Sequence, residues 1–240
     1  MTSFIVGIRF HKGGKVYHFD ATGHPDLQEG DFAIVETSRG QQLGRVVSPL
    51  VAEKSNGGRN WKPIIRKATP RDLVLRQIWE EKEEAALETC LTLVRESDLQ
   101  GVKIVSSEFS LKGEKLVFLY CYEEKGDPDL DEITESLQEE YPEAEIDMRR
   151  IGPRDAAKII GGMGACGREV RCCTEFMTTF DPISIKKAKA QGISLIPSEI
   201  SGMCGRLRCC LDHEHDLYVE AKKQLPKCGK KVVTPRGEGK

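Results

Sequence analysis

Two phrases in this 240-residue chain, "GACGREVRCC" ending at Cys173 and "GMCGRLRCC" ending at Cys210, repeat one sulfur-rich pattern. Each opens Cys-Gly-Arg and closes Cys-Cys, and the first carries one extra residue in between. Six of the nine cysteines fall here: Cys166, Cys172 and Cys173, then Cys204, Cys209 and Cys210. Thiolates are soft ligands, so metal binding is the chemistry such a pattern suggests first. Adjacent cysteines in an extended segment point to opposite sides. One member of each pair is therefore expected to face a metal while its neighbour packs, binds a second site or serves a partner. Gly167 and Gly205 permit a tight turn beside the first thiolate of each phrase. Arg168, Arg171, Arg206 and Arg208 are expected to lower nearby thiol pKa values and favour the deprotonated ligand.

Spacing alone leaves the metal open. Structural zinc takes four ligands, and its usual gap of about two to four residues between paired cysteines fits Cys204 and Cys209 but not Cys166 and Cys172. Iron–sulfur clusters also use thiolates, at looser spacing. A reduced, redox-sensing thiol cluster is a third option. Burial of all six as small hydrophobes is the blandest reading, and the duplication beside arginines argues against it. Cys90 and Cys121 lie on apolar faces and read as core residues, whereas Cys228, in "PKCGKK", is a supplementary ligand candidate. His213 and His215 would diverge on a helix and read as surface residues.

The elements that must position these residues change character along the chain. Residues 1–55 alternate in short apolar pieces separated by Gly, Asp and Pro, which predicts a small barrel or curled sheet. "EKSNGGRN" has the composition of a linker. Residues 62–151 predict strand, helix, strand, strand, helix, strand, the order of the ferredoxin-like split βαβ motif. Within them Thr69, Pro70 and Asp72 mark a helix start, and Leu75, Trp79, Ala86, Cys90 and Leu93 form its apolar stripe. Asp129 and Glu132 have capping-box spacing for the second helix. Residues 152–240 hold short helical pieces, Gly-rich turns and the cysteine phrases. Their apolar content is too low for a large separate core, so metal ligation is expected to help hold them. The fold class expected is α+β.

With 36 Lys plus Arg against 38 Asp plus Glu, bulk charge points to no particular partner. A local basic segment, Arg149, Arg150, Arg154, Lys158, Arg168 and Arg171, is a candidate RNA-binding patch. A solvated strand end plus arginines serving the cysteines is the simpler account. The chain has no secretory h-region and no apolar run near the roughly 20 residues that span a bilayer, which predicts a cytoplasmic protein without membrane insertion. A disulfide framework is not expected in that compartment. No phosphate loop or nucleophile elbow is present, so a regulatory or binding role is expected rather than an enzyme.

At "GACGREVRCC" and at "IKKAKAQGISLIPSEISGMCGRLRCC", followed by "TPRGEGK", the sequence resembles the RicT (YaaT) family. These bacterial proteins carry the C-terminal domain named after a yeast suppressor of DNA polymerase alpha mutations. The resemblance extends through "GDFAIVETSRGQQLGRVV" and "RDAAKIIGGMGACG" and so covers nearly the whole chain. It implies a non-enzymatic protein that, in spore-forming bacteria, joins the RicA and RicF proteins in a complex carrying iron–sulfur clusters. That complex is associated with ribonuclease Y, with maturation of polycistronic transcripts, and through them with sporulation, competence and biofilm formation. The resemblance tips the metal choice from zinc to iron–sulfur, of the 4Fe-4S type and shared with the partners, with the six repeat cysteines carried over as a group. Family members usually continue beyond "GEGK", so the chain is expected to be truncated or to lack its last strand.

Overall fold

The computed structural model describes all residues except 1, 12–13, 50, 55–60, 98, 125, 178–179, 227–228 and 240, and of residues 2–3 and 52–54 the backbone only. Alternation of apolar residues builds a curled antiparallel sheet from β1 (Thr2–Arg9), β2 (Tyr17–Asp20), β3 (Phe32–Thr37), β4 (Gly40–Val46), β5 (Val51–Lys54) and β6 (Ile64–Lys67). The strand order is β2-β1-β4-β3-β6, with β5 on β1. Asp20 N–H donates to Lys62 O at 2.9 Å, so the two ends of that path meet. Val6, Ile8, Phe19, Val35, Val46 and Ile64 fill the interior, as the two-residue period of a strand dictates.

Helix α1 (Pro70–Glu96) follows directly. Its start is fixed by the Asp72 carboxylate, which accepts Thr69 N–H at 2.7 Å and Thr69 Oγ1 at 2.6 Å. Arg66 on β6 donates to both Asp72 oxygens, at 2.5 and 2.7 Å, and ties the strand to the helix. A second sheet follows, with β7 (Val102–Phe109) antiparallel to β8 (Lys115–Tyr122), then α2 (Asp131–Glu140), then β9 (Glu145–Arg150) parallel to β8. Helices α1 and α2 cover one face, where Ala86, Cys90, Leu116, Phe118, Ile133 and Leu137 pack together. The α2 cap is Leu130, not Asp129; Asp129 serves the helix start by accepting Asp131 N–H at 3.2 Å.

The element order expected for residues 62–151 is formed as β6, α1, β7, β8, α2, β9, but the four strands do not join in one ferredoxin-like sheet. β6 pairs with β3 of the first sheet, and the second sheet has only the order β7-β8-β9. The reason lies in four residues: Ile64 is the one buried side chain of β6, while Ile65 is 41 % exposed and Arg66 and Lys67 pair with Asp72 and Asp31. A strand inserted into a sheet covered on both faces would need apolar residues on both sides.

The two sheets meet at Glu108 on β7, which accepts from Arg39 and lies 3.3 Å from His11 Nε2. Burial alone would raise the Glu108 carboxyl, but its contacts with His11 and Arg39 hold it below its ordinary value. Helix α3 (Pro153–Ile160) packs Ala156 and Ala157 toward the other face of the second sheet. Beyond it come α4 (Cys172–Glu175), α5 (Ile185–Gln191), α6 (Pro197–Ile200), α7 (Cys210–His213), α8 (His215–Gln224) and a hairpin of β10 (Val232–Thr234) and β11 (Gly237–Gly239). Their buried apolar cluster is small: Ala188, Ile200 and Leu211. Among the described residues no helix is long and apolar enough to cross a membrane.

Candidate functional site

The two cysteine phrases adopt the same local geometry. In the first, Gly164 N–H donates to Arg168 O at 2.8 Å and Gly167 N–H to Gly164 O at 3.0 Å. In the second, Gly202 N–H donates to Arg206 O at 2.8 Å and Gly205 N–H to Gly202 O at 3.0 Å. Each closed turn carries its first cysteine at the tip, before a glycine with φ of 85° (Gly167) or 69° (Gly205), a conformation that costs other residues a clash with the backbone.

The Cys-Cys pairs then enter helical turns, and here two expectations are corrected. The pairs are not extended. Arg171 O accepts Thr174 N–H at 2.9 Å and Arg208 O accepts Leu211 N–H at 3.2 Å, so both pairs lie at the start of a short helix, α4 and α7 respectively. Neighbouring side chains on a helix diverge by about 100° rather than lying opposite each other. Both members of a pair can therefore look into one space.

The second correction concerns the arginines. Arg171 donates to Met163 O at 3.1 Å and Ala157 O at 2.8 Å; Arg208 donates to Ser201 O at 3.1 Å and Ser198 O at 3.0 Å. In both copies the guanidinium before the Cys-Cys pair clamps the residue just before the turn and a carbonyl of the preceding helix. Arg168 is held by Glu175 at 2.5 Å and by Val170 O. The thiols of Cys209 and Cys210 are not lowered. Burial pushes both up, and neighbouring thiols add to the effect, with Arg208 only partly opposing it at Cys210.

All six repeat cysteines line one cavity of about 80 Å³, together with Arg154, Arg168, Arg171 and Arg208. Cys166 is exposed, Cys173 is buried and the other four are half-buried; none is in a disulfide. The lining contains no carboxylate and no imidazole. A Cβ placed on Gly164 would lie 3.4 Å from Cys166 Sγ, and one on Gly202 would lie 3.8 Å from Cys204 Sγ, so glycine at these positions keeps the sulfur side open. Among the described residues no three of His, Cys, Asp and Glu stand in an arrangement that would hold a metal ion as they are.

Other candidates are placed elsewhere. Cys90 is fully buried, with its thiol pushed up to about 12 by burial. Cys121 is buried too, and its Sγ donates to Ile151 O at 3.3 Å. Cys228 lies outside the described residues. His213 is exposed against Phe176, which links the two copies, whereas His215 is half-buried with Nδ1 unpartnered, unlike the surface residue expected.

The basic segment does not form one patch. Arg149 bonds Asp147 and Ser38, and Arg150 bonds Tyr122 O, Glu124 O, Gly126 O and Asp127. Arg154 and Lys158 flank the Phe180 ring, each 4.6 Å from its centroid. Sequence reasoning missed the arginine clamps. Their signal was an arginine directly before each Cys-Cys pair, which had been assigned to the thiols instead.

The chain is an α+β protein of the PSP1 class. The PSP1 C-terminal conserved region matches residues 62–151, and the third domain of PSP1-like proteins matches residues 182–225. The sequence is 40 % identical over 242 residues to "Stage 0 sporulation protein YaaT" of Bacillus subtilis (strain 168), covering 98 % of this chain and 84 % of that protein. The chain belongs to the RicT (YaaT) family. No solved structure matches it.

Proposed function

We propose that this protein is a non-enzymatic, cytoplasmic regulatory subunit that holds an iron–sulfur cluster, of the 4Fe-4S type, and acts with RicA-like and RicF-like proteins. In that reading it promotes ribonuclease Y-dependent transcript maturation, and through it sporulation, competence and biofilm formation. The observation that carries the reading is the convergence of six thiols from two copies of one motif on a single cavity. The name of the Bacillus subtilis relative supports its link to sporulation.

The donor set fits the group. A set of side-chain ligand donors made of thiols, with no carboxylate or imidazole, suits iron–sulfur or zinc and disfavours magnesium, calcium and manganese, which take oxygen. Six thiols also exceed the four that one structural zinc uses. Cys166, Cys172, Cys173, Cys204, Cys209 and Cys210 would hold the cluster, and the cluster would supply a redox-responsive joint between protein segments. The four lining arginines offset the negative charge that thiolates and cluster bring. Because among the described residues no three sulfurs stand ready for a metal, loading calls for the two turns to close or for further ligands, as a partner would add. Sharing the cluster with partner subunits answers that need.

The test is anaerobic purification of the protein, alone and co-expressed with RicA-like and RicF-like proteins, with iron, sulfide and zinc measured beside the absorption spectrum. Iron with matching sulfide supports the reading. Stoichiometric zinc without sulfide makes the cysteine region the staple of a structural adaptor. In cells, serine at all six positions should abolish transcript processing, and normal processing in that strain would end the regulatory reading.

A further inference from the structure

A second site lies between the curled sheet and α3, beside the sulfur cavity, with which it shares Arg154 but none of the cysteines. Two cavities of about 680 and 400 Å³ share His11, Gly14, Lys15, Tyr17 and Arg39, and so run together as one groove. Each alone has the size of a small-molecule pocket, but joined they form an open track.

The charges along that track are unbalanced. Arg39 and His11 are taken by Glu108, Arg149 by Asp147, and Lys158 approaches Asp155 at 3.6 Å. Among the described residues, three cations have no carboxylate partner: Arg154 in the larger cavity, Lys15 in the shared stretch and Lys62 in the smaller one. Glu36 is the acid left uncompensated. This local excess of positive charge stands on a chain whose formal net charge is −2.

Aromatic faces are interleaved with these cations. Tyr17, on β2, is 48 % exposed in the shared stretch, with Lys15 Nζ 5.9 Å from its ring centroid. Phe180 lines the larger cavity under Arg154. Cations spaced along a groove with the exposed Tyr17 ring among them suit a single-stranded polynucleotide: counter-charges for successive phosphates and a platform on which a base stacks. An acidic peptide would use the cations but has no use for the ring.

We propose that this groove binds single-stranded nucleic acid, with Arg154, Lys15 and Lys62 following the phosphate backbone and Tyr17 stacking a base. The inference goes beyond the cluster reading and does not rest on it, since none of the six repeat cysteines lines the groove.

The experiment is a fluorescence-anisotropy titration of the purified protein with a fluorescein-labelled single-stranded 12-mer RNA, repeated between roughly 50 and 200 mM salt. Log affinity should fall linearly with log salt, with a slope of about −2 for three phosphate contacts. Lys15→Ala and Lys62→Ala should each weaken binding and flatten the slope by ~0.7. Tyr17→Ala should weaken binding roughly tenfold and Tyr17→Phe should restore it, since stacking needs the ring and not the hydroxyl. Duplex RNA should bind more weakly, and a DNA 12-mer that binds as RNA does supports backbone-and-stacking recognition. Ultraviolet cross-linking of the unsubstituted protein should give an adduct at Tyr17, a readout independent of any variant's folding. Absence of salt-dependent binding, or binding unchanged when Lys15, Tyr17 and Lys62 are all alanine, would overturn the proposal. Competition by poly-glutamate as strong as by unlabelled RNA would also overturn it, by giving the groove to an acidic protein segment.

Discussion

The two copies of the cysteine motif share a turn, a clamp and a helical start, yet they stand on different supports. Residues 163–175 lean on α3, which packs against the second sheet, and are closed by the exposed Arg168–Glu175 pair. Residues 201–213 instead rest on α5 and α6, through a small core of Leu211 with Ala188 and Ile200 and the Lys187–Asp212 pair, and hold a strand-like bridge between Ser201 and Leu207. The difference teaches that the repeated object is the placement of sulfur, not the packing beneath it. Hydrogen bonds from one arginine to two carbonyls fix that placement in both copies, where neither has enough apolar surface to do so.

Leu211→Ala should have the largest effect, a loss of about 2–5 kcal/mol by cavity formation in a cluster with few neighbours to relax into it. Urea unfolding would measure it, and mass-spectrometric alkylation should find Cys204, Cys209 and Cys210 released before Cys173. Equal release of both copies would mean that they share one support.

Next come the clamps. Arg171→Ala and Arg208→Ala each remove two charge-assisted hydrogen bonds and should cost about 2 kcal/mol each, with loss of bound metal in the co-purified protein. Lysine should not rescue either, because an ammonium cannot reproduce the fork. A large inequality between the two arginines would break the equivalence of the copies.

Gly167→Ala and Gly205→Ala should each cost roughly 1–2 kcal/mol in thermal or urea unfolding. Nothing stands within 4 Å of a Cβ at either position, so the cost is backbone strain alone and should match between copies.

The smallest effect concerns pH. A thiol whose pKa is raised stays protonated, and so unreactive, at a pH where an ordinary thiol is already thiolate. In metal-free protein, alkylation of Cys209 and Cys210 should therefore set in at higher pH than for a cysteine-containing peptide. Cys90 should react only on unfolding, since it is sealed in the core with its thiol near 12.

Local patterns were legible in the sequence and long-range pairings were not. The alternation of Val6 with Ile8, and of Ala33 with Val35, marks inward faces, and Thr69-Pro70 with Asp72 marks the start of α1. Four residues with one inward side chain announce a strand at Ile64–Lys67 and argue against a sheet covered on both faces, but they do not name β3 as the partner. The doubled phrase announced the sulfur site, whereas four-residue helices such as α4 and α7 are too short for periodicity to reveal. Glu83 shows a different failure. A glutamate ordinarily stands on a solvated face, yet this one is four residues after Trp79 and three before Ala86, on the apolar stripe, and is buried. There it accepts Arg76 at 2.6 Å and Phe109 N–H at 2.6 Å. The groove residues Lys15, Tyr17, Lys62 and Arg154 come from segments that only the tertiary fold brings together.

The crossing of β6 into the first sheet sets where this chain can be cut. The PSP1 C-terminal match begins at residue 62, but β6 has its hydrogen-bonding partners in β3, upstream of that boundary. Excised from residue 62 onward, the fragment would present β6 as an orphan edge, free to pair with another molecule's strand and prone to aggregate. The unit of inheritance written in the sequence and the unit that can fold by itself are therefore different lengths of chain.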